Sequence, residues 1–433
     1  MPQPKPGAGS RQPEFLWGAA TAAHQVEGNQ HNNWSVWEAS VADELAQNAP
    51  KRLENVVANW EAIKAEACDP SNYISGIASD HYNRFIEDFG IMDQLGLNAY
   101  RFSIEWSRIE PEPGVYDQKE LKHYQDMVTQ LGRRGIEPLV TLHHFTDPVW
   151  LEERGGWHGK EAVERFAAFA KVTAKNLGDV RFYCTINEPG SYLLMRYLGG
   201  GAWPKWPGLS FNPIHGYKYL KNVIRAHQAA AAGIKEVNSD AQVGLAHGML
   251  DYQLGRRDPL SWITKKQLEY IPDSYLLNRL KGTIDFIGVN YYMRMMIKSG
   301  FSHPANWAVR SEKSDAKLSD MGWGLYPEGI YNVTQKLKKY GLPLYITENG
   351  IADASDKLRL EYIETHLNQL QRSKADGADI RGYFYWSLLD NYEWSEGFWP
   401  KFGLVKIDRK DQKRTVRPSA RQFSNLIKKH PLS

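Results

Sequence analysis

Eight short apolar runs recur along the chain. Each is rich in β-branched and aromatic residues and is followed by polar or turn-forming positions. They are FLWGAA (15–20), NAYRFSIEW (98–106), EPLVTLHH (137–144), RFYCTINE (181–188), QVGLAHG (242–248), TIDFIGVNYY (283–292), LPLYITEN (342–349) and IRGYFYWSLLD (380–390). Their length and make-up predict buried strands. Between them the apolar spacing turns helical. After Asp80 it runs Tyr82, Phe85, Ile86, Phe89, Met92 and Leu95, and before the last run it is Leu360, Ile363, Leu367 and Leu370. Strand alternating with helix eight times, with no Pro/Gly linker to divide the chain, predicts one α/β domain over 1–433, a (β/α)8 TIM barrel. Residues 1–13 are expected to form a flexible tail. Residues 41–79 interrupt the alternation. Their Leu53, Val56, Trp60 and Ile63 are helically spaced, which predicts a helical excursion on the barrel's C-terminal face.

Composition narrows the function classes. The chain has 433 residues, 42% hydrophobic and 24% charged, enough for a large core. Its 53 basic and 50 acidic residues leave a net charge of +3, so nothing argues for nucleic acid or an anionic membrane as partner. No run reaches the ~18 apolar residues of a membrane span. The first residues, MPQPKPGAGSRQPEF, lack the apolar core of a signal peptide, and the only cysteines are Cys68 and Cys184. Cys184, inside a strand run, is expected to be buried. A reducing, cytoplasmic setting is the expectation. The 15 Trp and 23 Tyr suit a cleft whose aromatic faces meet the C–H faces of sugars, although most must serve packing.

Polar residues collect where the strand runs end. Gln25 follows the first, Arg101 lies on the second, His144 ends the third, and Asn187 and Glu188 end the fourth. Asn290 and Tyr292 end the sixth, Glu348 lies near the end of the seventh, Trp386 lies on the eighth, and Glu393 and Trp394 follow it. In parallel α/β folds that edge carries the active site. Two carboxyls delivered there from two strands meet the need of glycoside hydrolysis: an acid for the leaving oxygen and a carboxylate for the anomeric carbon. A metal is not expected. His143 and His144 are adjacent in a strand and point to opposite faces, and no HExxH or CxxC is present. His247 reads as a core or supporting histidine. Gly199-Gly200-Gly201 is not in the strand-to-helix context of a phosphate loop, and Trp203 and Trp206 read as leaving-group contacts or loop anchors.

The segments FLWGAATAAHQVEG, DHYNRF, AYRFSIEWSRI, TLHHFTDPVWL, TINEP, DFIGVNYY, MGWGLYPEG, YITENG and YWSLLDNYEWSEGFWPKFGLVKID together resemble family 1 glycoside hydrolases, in family order and over nearly the whole chain. The resemblance implies a retaining exo-β-glycosidase with no cofactor, acting on terminal β-D-glucosyl and also galactosyl or fucosyl residues of β-linked glucosides or oligosaccharides. It implies Glu188 as acid/base and Glu348 as nucleophile. The sugar pocket would be Gln25, His144, Asn187, Glu393 and Trp394 over a Trp386 floor. Tyr292, Arg101 and Asn290 would attend the nucleophile, and Trp323 would line the aglycone side. A retaining pair implies carboxyls about 5–5.5 Å apart. Phe145 stands where the family usually has Trp, and Gly324 where an acidic residue is common. The Leu250–Leu280 segment is short and the 41–79 segment long, so the outer subsites are where this chain departs.

Two other functions compete. A 6-phospho-β-glycosidase would hold a small hydroxyl residue where Glu393 stands, and a carboxylate there repels phosphate. A catalytically silent sugar-binding barrel would have no need of both carboxyls with Arg101 beside one. The excursion is expected to pack on the barrel's own loops. Its sharper reading is an edge that shapes the aglycone entrance or touches a second subunit, which leaves a homo-oligomer open.

Overall fold

The computed structural model describes residues 15–57, 59–198, 206–208, 211–270, 274–299, 308–309 and 317–432. The expected tail, Gly199-Gly200-Gly201 and Trp203 lie outside them. Eight parallel strands close into a barrel: β1 (Leu16–Ala20), β2 (Ala99–Ser103), β3 (Glu137–His143), β4 (Phe182–Asn187), β5 (Gln242–Leu254), β6 (Phe286–Ile297), β7 (Leu344–Asn349) and β8 (Ile380–Trp386). Each pairs with the next, and β8 returns to β1 through Leu16–Gly382 to Ala20–Trp386. Among the described residues this is the α/β barrel that the alternation of patterns implied.

The helices between strands are α1 (His81–Leu95), α2 (Gln118–Arg133), α3 (Ala162–Leu177), α4 (Pro213–Val237), α5 (Tyr275–Leu280), α6 (Glu328–Leu337) and α7 (Arg359–Ala375), and α8 (Pro418–Ile427) follows β8. Each buries one face. In α1, Phe89, Met92 and Leu95 are buried while Ile86, predicted in the stripe, is exposed. Asp117 starts α2 by accepting hydrogen bonds from the backbone amides of Lys119 and Glu120, and Gly96 ends α1 in the left-handed region that glycine tolerates. Inside the barrel, Phe182, Phe286, Tyr345 and Phe384 fill the lumen, with ring centroids of Phe286 and Tyr345 5.2 Å apart. Gly18 makes room for them, because a Cβ there would lie 2.5 Å from the Phe384 ring. The barrel is a packed core and leaves only its C-terminal mouth for chemistry.

Two strands run further than their sequence runs. β5 and β6 continue past the barrel as a paired ribbon from Asp251–Arg294 to Leu254–Ile297. The insert before α1 is built from helices at Asn33–Gln47, Ala49–Leu53 and Trp60–Ala67 and a 3₁₀ turn at Pro70–Tyr73, so helical structure begins ahead of residue 41. Its apolar stripe differs from the expected one. Leu53, Trp60 and Ile63 are buried, but Val56 is 49% exposed and Val57 is buried instead. The chain leaves the helical path after Leu53 and re-enters at Trp60, so the phase resets across the break.

Candidate active site

Glu188 and Glu348 reach the mouth by different local means. Glu348 lies within β7 and is 4% exposed. Glu188 follows β4 in the left-handed region, φ 41°, and caps a helix at Pro189–Tyr197. A non-glycine residue in that region costs energy, and such strain gathers at functional positions. Pro189 at the first helical position enforces the turn. The Glu188 amide donates to the Ala246 carbonyl at 2.8 Å, which ties the corner to β5. Glu188 is half-buried.

A continuous polar network joins the two carboxyls. Fully buried Arg101 donates from Nη1 to Glu348 Oε1 at 2.5 Å and from Nη2 to Asn187 Oδ1 at 2.7 Å, and its Nε donates to Thr141 Oγ1 at 3.0 Å. The Tyr292 hydroxyl donates to Glu348 Oε2 at 2.6 Å. Asn290, expected beside the nucleophile candidate, is the ladder partner of Glu348 but sends its amide elsewhere: Nδ2 donates to Glu188 Oε1 at 2.8 Å and to Asn187 Oδ1 at 3.1 Å. The cause is the Thr347 hydroxyl, which donates to Asn290 Oδ1 at 2.7 Å and so fixes the amide's direction. Ser191, one turn into the helix, holds Glu188 Oε2 at 2.6 Å.

The sugar-pocket candidates lie beside this network. Asn187 Oδ1 accepts two bonds, so its Nδ2 is the group that donates to His144 Nε2, at 3.1 Å. The His144 proton is then on Nδ1, a buried atom with no hydrogen-bond partner among the described residues. Burial and the Arg101 charge hold His144 well below its usual pKa, so the ring is neutral. Gln25 donates to the Tyr392 carbonyl at 2.7 Å and reaches Glu393 Oε2 at 3.4 Å, while its Oε1 is buried without a partner among the described residues. Trp386 and Trp394 each lie nearly parallel to His144, with centroids 5.8 and 6.0 Å away. Trp323 stands edge-on to Tyr292 at 5.9 Å. Trp206 packs against Phe145 at 4.8 Å and Trp34 at 5.3 Å, and reaches Trp394 at 6.3 Å, so it anchors the wall behind Trp394.

Burial dominates the charges. It pushes Glu348 up to about 7, opposed first by Arg101, raised further by Glu188, and lowered by the Tyr292 and Arg101 hydrogen bonds. It pushes Glu393 up to about 8, helped by the nearby Glu348 charge and opposed by hydrogen bonds from Trp386 and Gln25. Among the described residues no group of His, Cys, Asp and Glu could hold a metal. His143 turns away from the mouth to Asp147 at 2.9 Å, as expected for neighbours on opposite strand faces. His247 is fully buried, and Cys184 is a free, buried thiol beside Arg101 pushed up to about 11 by burial.

Sequence reasoning missed Ser191 and Gly248. Ser191 had a faint signal, a hydroxyl three residues after a strand-ending glutamate and therefore on the same helix face. Gly248 had none. A Cβ there would lie 2.6 Å from Glu188 Oε2 and 3.0 Å from Ser191 Oγ, so its bareness lets the carboxyl settle against β5.

A closed parallel barrel with two carboxyls and a polar, aromatic-walled cleft at its C-terminal mouth is the architecture of a glycoside-cleaving enzyme. The model of glycosyl hydrolase family 1 matches residues 10–269 and 259–432. β-Glucosidase A of Thermotoga maritima is 33% identical, with 96% of this chain and 98% of that protein aligned. The β-galactosidase of Sulfolobus acidocaldarius is 32% identical over 80% of this chain and 83% of its own length. The solved β-glycosidase from Pyrococcus horikoshii superposes with a TM-score of 0.82 at 33% identity, covering 95% of this chain and 93% of that one. The Thermotoga maritima β-glucosidase in complex with glucoimidazole gives 0.78 at 31% identity, with 96% and 98% covered. The chain belongs to glycosyl hydrolase family 1 and is a hydrolase of the β-glucosidase type. A retaining mechanism is typical of that family. No helix among the described residues is long and apolar enough to cross a membrane.

Proposed function

We propose that the chain cleaves terminal non-reducing β-D-glucosyl residues by double displacement, with Glu348 as nucleophile and Glu188 as acid/base. The observation that carries this is the unequal treatment of the two carboxyls. Glu348 receives a guanidinium and a phenol, donors that favour a carboxylate, whereas Glu188 receives no cation among the described residues and is only half-buried. In the first step Glu348 attacks C1, the C1–O bond breaks, and the Glu188 proton passes to the leaving oxygen. In the second, water attacks C1, Glu188 takes its proton, and the ester to Glu348 breaks. His144 Nδ1 and Gln25 Oε1, buried donor and acceptor without partners among the described residues, are available to sugar hydroxyls, and a buried polar atom is costly until it finds one.

Glu393 supports glucosides over their 6-phosphates, for a reason other than the expected one. With its pKa pushed up to about 8 it is mostly protonated at neutral pH, so charge repulsion is weak there. Among the described residues, however, no Lys or Arg forms an ion pair with it, and its hydrogen-bonding neighbours are Gln25 and Trp386. A phosphate dianion would be desolvated with no cation to receive it. The relatives' β-glucosidase and β-galactosidase names suit a pocket that accepts more than one hexose.

The test is a panel of aryl and alkyl β-glycosides. Glu348→Ala should abolish turnover, a 2-fluoro glucoside should label Glu348, and the first product should be the β-anomer by NMR. An α-anomer first, or a label on another residue, sinks the assignment. A 6-phospho-glucoside should be a far poorer substrate than the glucoside itself.

A further inference from the structure

The acid/base candidate has two side-chain hydrogen-bond partners among the described residues, and they differ in kind. Asn290 Nδ2 can only donate to Oε1, because its amide is fixed by the Thr347 hydroxyl on Oδ1. Ser191 Oγ, 2.6 Å from Oε2, is a rotatable hydroxyl that can donate or accept. A carbonyl oxygen accepts an N–H better than a carboxylic hydroxyl oxygen does, so Asn290 favours Oε1 as the carbonyl and leaves the transferable proton to Oε2. The oxygen that gives up the proton is therefore the one that Ser191 touches.

We propose that Ser191 is a positioning residue for proton transfer, holding Glu188 Oε2 against Gly248 and donating to it as the proton leaves. This rests on the acid/base reading of Glu188. While Oε2 carries its proton it is a weak acceptor, and the Ser191 bond contributes little. As the proton moves to the glycosidic oxygen, Oε2 gains negative charge and the bond strengthens. An interaction that grows toward the transition state lowers the barrier instead of only tightening binding. In the second step Glu188 begins as the carboxylate with Ser191 donating, and the same bond weakens as water's proton arrives. Geometry keeps the contact in place. Gly248 leaves no Cβ to push the carboxyl away, and the helix that carries Ser191 is pinned further along. There Arg196 donates to Glu152 and Asp147, and the Tyr192 hydroxyl donates to Asp147 Oδ2 at 2.7 Å.

The effect should depend on how much proton the leaving oxygen needs. In Ser191→Ala, kcat/KM for an alkyl β-glucoside should fall about tenfold, the size expected of a charge-assisted hydrogen bond. With 2,4-dinitrophenyl β-glucoside, which leaves unprotonated, it should stay within about twofold of wild type, and that activity also reports an intact fold. Equal losses on both substrates, or no loss on either, overturn the role of Ser191. Glu188→Gln run on the same pair separates the two ideas. If it splits the substrates and Ser191→Ala does not, only the serine inference fails. If Glu188→Gln itself gives no split, the acid/base assignment falls and the serine inference with it.

Discussion

At the scale of single residues, the site is a balance between burial and a few strong donors. Glu348 is pushed to about 7 by its surroundings, and the Tyr292 hydroxyl is one of the groups holding it down. In the proposed role of nucleophile Glu348 works as the carboxylate, so kcat/KM should rise with pH as it ionises. Tyr292→Phe removes a donor to the charged form, which must raise the Glu348 pKa further. The acid limb of kcat/KM should therefore move to higher pH, with the largest loss of rate at acid pH. A limb that stays in place, or moves down, would show that Tyr292 does not act on the nucleophile. Much of this site was legible from residue order, because a polar residue at the end of a parallel strand has one place to go. The direction of a side chain was not. Asn290 sits in the ladder beside Glu348 yet bonds Glu188, since the Thr347 hydroxyl turns its amide, and no pattern along the chain encodes that contact. Ser191 left only its spacing from Glu188 as a signal, and its meaning depends on a bare position in β5.

At the scale of elements, the long insert between β1 and α1 is joined to the loop that follows β8. Asn72 is buried, and its Oδ1 accepts from the Phe398 and Trp399 amides at 2.8 and 3.0 Å while its Nδ2 donates to the Glu396 carbonyl at 3.0 Å. Arg52 pairs with Glu396 and Lys401 with Glu66 across the same seam. Leu53, Val57, Trp60 and Ile63 share one apolar cluster with Met321, Trp323, Trp399 and Phe402. The insert therefore braces the loop bearing Glu393 and Trp394 and backs Trp323. Its helices were legible, but not their phase, because the break after Leu53 moved the buried position from Val56 to Val57. Asn72→Ala should strip the buried Trp399 amide and the Glu396 carbonyl of these partners, at a cost of roughly 1–3 kcal/mol, while the Phe398 amide keeps its bond to the residue 72 main-chain carbonyl. Because the braced segment is tied to Glu393, whose amide donates to the Gly397 carbonyl at 2.7 Å, KM should rise for all glucosides while the fold persists. A lowered melting midpoint with unchanged KM would mean that the seam is structural only. The sharper reading of the insert, an edge that shapes the aglycone entrance, instead requires long oligosaccharides to suffer more than aryl glucosides.

At the scale of the whole molecule, the barrel is readable because closure buries both strand faces, leaving short continuous apolar runs between helix-spaced stretches. The same closure forces polar function into a mouth where carboxyls are poorly hydrated, and that has a consequence for stability. Glu348 and Glu393 have folded pKa values of about 7 and about 8, above the ~4.3 of an unfolded glutamate. A raised carboxyl contributes its stability fully below the unfolded pKa and loses it as pH climbs through the folded value. The unliganded protein should accordingly lose stability between about pH 5 and 9 on account of these two groups. On the acid side, the lowered pKa of Asp88, bonded by His81 and Arg414, acts in the opposite sense, and its contribution is lost as pH falls. Glu393→Gln isolates one term. The amide can still accept from Trp386 and Gln25 but cannot ionise, so the variant should melt with wild type near pH 5 and above it near pH 9, by roughly 2 °C or more. Glycosidase activity should fall across the whole range, because in the proposed pocket the variant also loses an acceptor for sugar hydroxyls. Melting curves for the two proteins that run parallel from pH 5 to 9 would mean that Glu393 keeps an ordinary carboxyl pKa, and that the mouth of the barrel is wetter than its packing implies.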